Sequence, residues 1–271
     1  MRLPPVPGAA KAWQTTDLRR LERMLAADPR DLSSGELAEV RTLLSSAAAA
    51  GVTEAQVSLG QMLAFQLDPP EVAEGRTWLT KAATAGDVEA QGALGLLLVA
   101  LQDPPEVAEA RTWLTKAATA GNSYSQAHLG TLLLYNLSPP EVAEARTWLT
   151  KAATAGHTLA QRSLGMLLTQ LDPPGLAEAR TWLTKAATAG DHEAQFVLGL
   201  ILARELDPPE YAEARRWWTK AATAGHTEAQ VNLGKLLAYR VNPPEMSEAR
   251  KWWQTAAKAG NAEAAGWLER T

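Results

Sequence analysis

The sequence predicts an all-α solenoid of about six full helix-pair repeats, closed by capping helices at its ends. Three observations carry that expectation. An arginine recurs at Arg41, Arg76, Arg111, Arg146, Arg180, Arg215 and Arg250, and a glycine at Gly51, Gly86, Gly121, Gly156, Gly190, Gly225 and Gly260. The step is 35 residues except once, where it is 34, and a fixed period of this size marks a repeat architecture. The hydrophobic fraction of 46% is rich in Ala and Leu and poor in β-branched residues, a balance that favours helix. Helix-start and helix-stop signals bracket the same stretch in each copy, most clearly Asp103–Gly121.

At 271 residues the chain could hold two ordinary domains, but the period argues for one quasi-linear array. Lys and Arg total 26 against 30 Asp and Glu, interspersed, for a net charge of −4. Nothing resembles the basic footprint of a phosphate-tracking protein, so no nucleic-acid partner is expected. The lack of cysteine excludes disulfides, thiolate metal sites and thiol catalysis. Residues Met1 to Trp13 hold three prolines and no apolar run, unlike a signal peptide, and no later segment has the uninterrupted apolar length of a membrane span. A cytoplasmic chain with no membrane partner is the expectation.

In chain order, residues 1–15 read as a Pro/Ala-rich flexible arm. Thr16-Asp17 opens a helix over Asp17–Ala27, in which Leu18, Leu21, Met24 and Leu25 fall at helical spacing. A second helix begins at Ser33 or Ser34 and runs to Ala50, carrying a divergent first motif with Leu43 where later copies have Trp. Together 16–50 form the N-terminal cap, 51–260 the repeat array and 261–271 a truncated C-terminal capping helix.

Each unit then reads as an inner helix opening near Thr53-Glu54-Ala55-Gln56, a turn at Leu67-Asp68-Pro69-Pro70, and an outer helix from Glu71 to Ala85. Asp68 is placed to cap the outer helix, with Glu71 completing a capping box. Asp103/Glu106, Ser138/Glu141, Asp207/Glu210 and Asn242/Glu245 repeat the device. Gly86 and its equivalents suit the left-handed position after a helix. Val72, Gly75, Trp78, Leu79, Ala82, Ala83 and Ala85 share one face, and the recurrent Trp113, Trp148, Trp182, Trp217 and Trp252 suggest a buried aromatic stack. The inner helix carries a mid-helix glycine at Gly60, Gly95, Gly130, Gly165, Gly199 and Gly234. Each costs about 1 kcal/mol relative to alanine, which close helix–helix contact must offset.

Ala55…Leu59-Gly60 on one helix, then Trp78…Lys81-Ala82-Ala83…Gly86 on the next, resembles the Sel-one-like (Sel1-like) repeat family, a branch of the tetratricopeptide-type solenoids. Five further copies follow, so the resemblance covers roughly Gly51 to Gly260. It implies a right-handed superhelix and a role in scaffolding protein complexes. The chain departs from the family in replacing the Gly-rich turn with Asp-Pro-Pro-Glu, and in having no cysteine.

Function in a solenoid resides where repeats differ. Ala55, Leu59, Met62 and Leu63 keep apolar equivalents throughout and form the core face. The opposite stripe is Glu54, Val57, Gln61, Ala64 and Phe65, which in related solenoids lines the concave groove. The next units supply Glu89, Gly92, Leu96, Val99 and Ala100; then Tyr124, Ala127, Thr131, Leu134 and Tyr135; then Leu159, Arg162, Met166, Thr169 and Gln170. The last two supply Glu193, Phe196, Leu200, Ala203 and Arg204, then Glu228, Val231, Lys235, Ala238 and Tyr239. Both phenylalanines and three of the four tyrosines lie on this stripe, which suggests a contact patch for a peptide or protein. Burial between adjacent inner helices is the competing reading for any one residue.

His157, His192 and His226 sit at or beside inner-helix starts, where Asp87, Asn122 and Asp191 also occur, so turn or cap duty is expected of them rather than metal binding. Adjacent Asp191, His192 and Glu193 cannot converge on one ion. No phosphate loop, nucleophile elbow or dinucleotide fingerprint occurs, and the recurrent glutamates cannot all be catalytic. Neither an enzyme nor a bound cofactor is expected. The alternatives to an adaptor are a self-associating solenoid, in which Trp267 and Leu268 are candidate contacts for a homo-oligomer, or the regulatory subunit of an enzyme. One junction is irregular: a residue is missing between Gly165 and Asp172, and Gly175 replaces the capping glutamate. A local change of twist, and a hinge, is the expectation there.

Overall fold

The computed structural model describes residues 33–171 and 173–270. The expected arm and the helix Asp17–Ala27 lie outside the described residues. The described chain contains fourteen α-helices and no strand, and it divides into two compact units, one ending at Glu141 and the other beginning at Val142. In the first unit the helices are α1 (Ser34–Ala49), α2 (Thr53–Gln61), α3 (Val72–Thr84), α4 (Val88–Ala100), α5 (Val107–Thr119) and α6 (Ser123–Tyr135). The second holds α7 (Val142–Thr154), α8 (Thr158–Thr169), α9 (Leu176–Thr188), α10 (His192–Leu200), α11 (Tyr211–Thr223), α12 (Thr227–Tyr239), α13 (Met246–Lys258) and α14 (Ala262–Arg270). Within each unit a helix packs mainly on its neighbours in sequence, the organisation expected of a repeat array.

The helix ends follow from identifiable residues. Ser33 caps α1 reciprocally: its hydroxyl accepts from the Glu36 N–H at 3.3 Å and its own N–H donates to the Glu36 carboxylate at 2.9 Å. Asp87, Asn122 and Asp191 accept from the N–H three residues on, at 2.7, 2.7 and 2.8 Å. Gly51, Gly86, Gly121, Gly156, Gly190, Gly225 and Gly260 all have φ between 88° and 96°, a conformation that side chains with a Cβ resist.

The core is built by close approach. A Cβ on Gly60 would sit 2.7 Å from Leu79 Cγ and 3.1 Å from the Gly75 carbonyl. At Gly95 and Gly165 it would meet Leu114 and Leu183 at 2.6 and 2.5 Å. These leucines are buried, with Ala82, Ala83 and their equivalents around them. In α11 and α13 the leucine position holds Trp218 and Trp253, and a Cβ on Gly199 or Gly234 would land on the indole. Each indole N–H donates to an inner-helix carbonyl, Trp218 to Phe196 at 3.1 Å and Trp253 to Val231 at 3.2 Å. The helix-propensity cost of the mid-helix glycines is offset by this contact.

The recurrent tryptophans depart from the sequence expectation. Trp78, Trp113, Trp148, Trp182 and Trp217 are only half-buried, and Ala85 is exposed. Each of these indoles donates to the glutamate four residues earlier, as Trp113 does to Glu109 at 3.2 Å, and carries the lysine three residues later over its ring, as Lys116 does at 4.1 Å. A lone aromatic with a polar N–H is satisfied at the surface by this Glu–Trp–Lys sandwich, while the adjacent leucine takes the core.

The expected Asp68–Glu71 capping box is also absent. Helix α3 begins at Val72, with Glu71 at the cap position and no side-chain cap bond. The turn is anchored through its backbone instead: the Glu71 N–H donates to the Leu63 carbonyl at 2.7 Å, and the Asp68–Pro69 peptide is cis. That frees the Glu71 carboxylate to pair with Arg41 through two hydrogen bonds of 2.6 Å. The pairing recurs 30 residues apart as Arg76–Glu106, Arg111–Glu141, Arg180–Glu210 and Arg215–Glu245. The bidentate arginine holds the carboxyls of Glu71, Glu106, Glu210 and Glu245 below the usual carboxylate range.

At the irregular junction the ladder loses a rung. Gly175 supplies no carboxylate, and among the described residues Arg146 reaches Glu178 alone, at 3.2 Å. The missing residue is absorbed by the turn: the Gly175 N–H still donates to the Leu168 carbonyl at 2.9 Å, seven residues back instead of the eight that separate Glu106 from Leu98.

Candidate functional site: the inner-helix face

The stripe divides into two classes of position. Val57, Ala64, Gly92, Ala127, Val231 and Ala238 are buried, which corrects their placement on an open face. They stand where helices close on one another; a Cβ on Gly92 would run into the Ser125 side chain of the next inner helix. The remaining positions stay accessible. Among the described residues the exposed large hydrophobic side chains are Phe65 (39%), Tyr124 (45%), Tyr135 (59%) and Tyr239 (52%), and all four belong to the stripe. Arg204 is exposed too, while Leu96, Val99, Thr131, Leu134, Leu159, Arg162, Met166, Phe196, Leu200 and Lys235 are half-buried.

Local winding sets some of these side chains. After α2 and α10 the chain widens into a π-helical turn, over Met62–Gln66 and Ile201–Glu205. Phe65 and Arg204 occupy these turns, a winding that often marks functional positions.

In the first unit Phe65, Leu96 and Tyr124 come together around a cavity of about 490 Å³, with Gln61, Gln66, Glu89, Gly92, Ala93, Asn122 and Ser125 completing its lining. In the second, Arg204, Lys235 and Tyr239 border a cavity of about 420 Å³ that also includes Tyr211, Asn232 and Trp267. Val99, Thr131, Leu134, Tyr135, Leu159, Arg162, Met166, Phe196 and Leu200 line neither.

The two faces differ in charge. On the second unit the polar groups are paired laterally: Arg162 with Asp191 at 3.1 Å, Arg204 with Asn232 at 2.7 Å, Lys235 with Glu263, and His226 Nε2 with Glu193 at 3.0 Å. His226 Nδ1 accepts from the Ala229 N–H at 3.2 Å, which leaves the proton on Nε2 to face Glu193 and makes this histidine a cap, as expected. Phe196 stacks on the same imidazole at 4.6 Å, so it is less open than its neighbours on the stripe. Burial pushes the His157 imidazole down, and Lys235 holds the Glu263 carboxyl below its usual range. On the first unit the inner helices carry Glu54 and Glu89 and no lysine or arginine. Glu89 accepts from Gln61 Nε2 at 3.1 Å. Burial raises the Tyr124 phenol.

Sequence reasoning missed the recurrent glutamine that holds each inner helix in place. The glutamine at the fourth position of each inner helix is a structural anchor: Gln91, Gln126, Gln161, Gln195 and Gln230 donate to carbonyls of the preceding outer helix at 3.0–3.2 Å. Its recurrence was the available signal. Trp267 is half-buried, stacked on Trp253 at 5.6 Å and lying 5.6 Å from Tyr239. No described helix is long and apolar enough to cross a membrane.

A family model described as Sel1 repeat matches six consecutive segments, 53–87, 88–122, 123–157, 158–191, 192–226 and 227–261. No curated protein matches significantly. The crystal structure of a Sel1 repeat protein from Oxalobacter formigenes is similar at 27% identity and a TM-score of 0.72, over 94% of this chain and 75% of that one. A protective antigen of uropathogenic Escherichia coli strains, displaying an SLR fold, is similar at 25% identity and a TM-score of 0.71, over 96% of this chain. This chain spans 57% of that antigen's length.

Proposed function

The chain belongs to the Sel1 repeat family, and from that premise we propose that it is a non-enzymatic adaptor that holds a peptide or protein partner along its inner-helix face. One observation supports this most directly: the exposed large hydrophobic side chains, Phe65, Tyr124, Tyr135 and Tyr239, share the stripe along which the repeats differ most. The outer helices are closely alike and hold Trp78, Trp113, Trp148, Trp182 and Trp217 in internal Glu–Trp–Lys sandwiches, so they offer little to distinguish one partner from another. Aromatic side chains are the usual anchors of protein interfaces. The proposed compartment is the cytoplasm, in keeping with a chain that needs no disulfides.

The test is partner capture by the wild-type chain beside Tyr135→Ala and Tyr239→Ala. Both side chains are more than half exposed, so melting temperature should hold while capture falls. Light scattering over a concentration series separates this from self-association, in which mass would rise with concentration. Intact capture by both variants sinks the adaptor reading.

A further inference from the structure

We infer that the cavity of the first unit is a subsite for an arginine side chain presented by the partner peptide. This deepens the adaptor reading and rests on it. Two independent features point to the same ligand chemistry.

The first is charge. Glu54 and Glu89 have no ion-pair partner among the described residues, whereas on the second unit's face Glu193, Glu263 and Asp191 each meet a histidine, lysine or arginine. Glu89 stands at the cavity with only a neutral amide, Gln61, donating to it. A carboxylate beside aromatic walls, with no cation of its own, is matched by a cation from outside. The second feature is a hydroxyl. Ser125 lines the same cavity, is fully buried, and its Oγ has no hydrogen-bond partner among the described residues. A buried hydroxyl left unpaired costs free energy that a donor can recover.

Arginine fits this set better than an aliphatic or aromatic residue. Its stem packs on apolar surface, here Leu96 and Ala93 on the cavity wall. Its planar guanidinium can stack on Phe65 or Tyr124 while presenting donors to Glu89 and toward Ser125. Lysine offers a point charge without the planar fork, so it should bind less well.

The experiment selects dodecamer peptides from a phage-displayed library on the immobilised full-length chain. An enriched peptide is then synthesised with arginine, lysine or citrulline at its shared position, and binding is read by fluorescence anisotropy. Citrulline keeps the shape and removes the charge. The expected result is a shared arginine whose replacement by citrulline weakens binding at least about tenfold, with lysine between. Glu89→Gln should weaken the arginine peptide by a similar factor and leave the citrulline peptide unchanged, a coupling that a merely destabilised variant would not show. Peptides that lose binding to Tyr135→Ala or Phe65→Ala yet ignore the citrulline exchange overturn the arginine subsite and leave the adaptor reading standing. If no selected peptide responds to any inner-helix substitution, both fail.

Discussion

Gly175→Glu should stabilise the protein, in two separable steps. The Gly175 backbone has φ −87° and ψ 56°, against −89° and 64° at Glu106, so a side chain fits without strain. A Cβ there would meet Leu168 Cδ2 at 3.4 Å, an ordinary contact. Replacing glycine where the native conformation suits alanine gains about 0.4–1 kcal/mol by restricting the unfolded chain. For a chain of this size that corresponds to about 1–4 °C in Tm for Gly175→Ala. The carboxylate of Gly175→Glu adds a second increment, because Arg146 already reaches Glu178 at 3.2 Å much as Arg76 reaches Glu109 at 3.1 Å, and lacks only the bidentate partner. Thermal melts of wild type, Gly175→Ala and Gly175→Glu at low and at molar salt separate the steps. The alanine step should be salt-independent and the extra step should vanish in high salt. If Gly175→Glu melts no higher than Gly175→Ala at low salt, the arginine–glutamate ladder is not a linkage between repeats.

Gly95→Ala, although it improves helix propensity, should cost about 1–3 kcal/mol in chemical denaturation, because its Cβ would fall 2.6 Å from Leu114. Gln126→Met should lose about 1 kcal/mol by removing the donor to the Ala118 carbonyl, read in the same assay. The folded-state pKa values of Glu71, Glu106, Glu210 and Glu245 are depressed below the ordinary glutamate value by their arginines. The ladder's contribution is therefore complete above that value and lost as pH falls through the lower folded values. Melts from about pH 6 to about pH 3 should show a steeper fall for wild type than for Glu106→Gln. Equal slopes would mean that this carboxylate is not stabilised on folding.

Period, glycine ends and the inner-helix core were legible because each rests on a local rule that recurs in register: left-handed glycine after a helix, apolar residues at helical spacing, small residues where helices touch. Trp78 and Glu71 were misread for a common reason. A capping role for Glu71 follows from residues three apart, but its partner Arg41 is 30 residues away, and no local pattern encodes that pairing. Trp78 lies on the apolar face by period, yet the glutamate four before it and the lysine three after it make a surface position equally satisfied. On the inner helices the stripe mixes positions that stay open with positions that close against a neighbouring helix. Val57 and Ala127 point along it, but the spacing between neighbouring helices, set by Gly92 and Ser125, decides which of its members remain open. The cavity at Phe65, Leu96 and Tyr124 is assembled from three helices and has no contiguous signature.

The Arg–Glu rungs have a consequence for how such chains change over generations. Each unit donates an arginine forward and receives through a glutamate behind, so both halves of the joint travel inside one repeat. An in-register duplication or loss of a whole unit leaves every surviving joint intact, and the near-identity of the outer helices makes such recombination easy. Inner helices, which carry no part of the joint, can diverge behind it. A lesion such as the shortened turn at Gly175 is confined to the single joint it spoils. A chain built this way can gain or lose whole repeats without redesigning its frame.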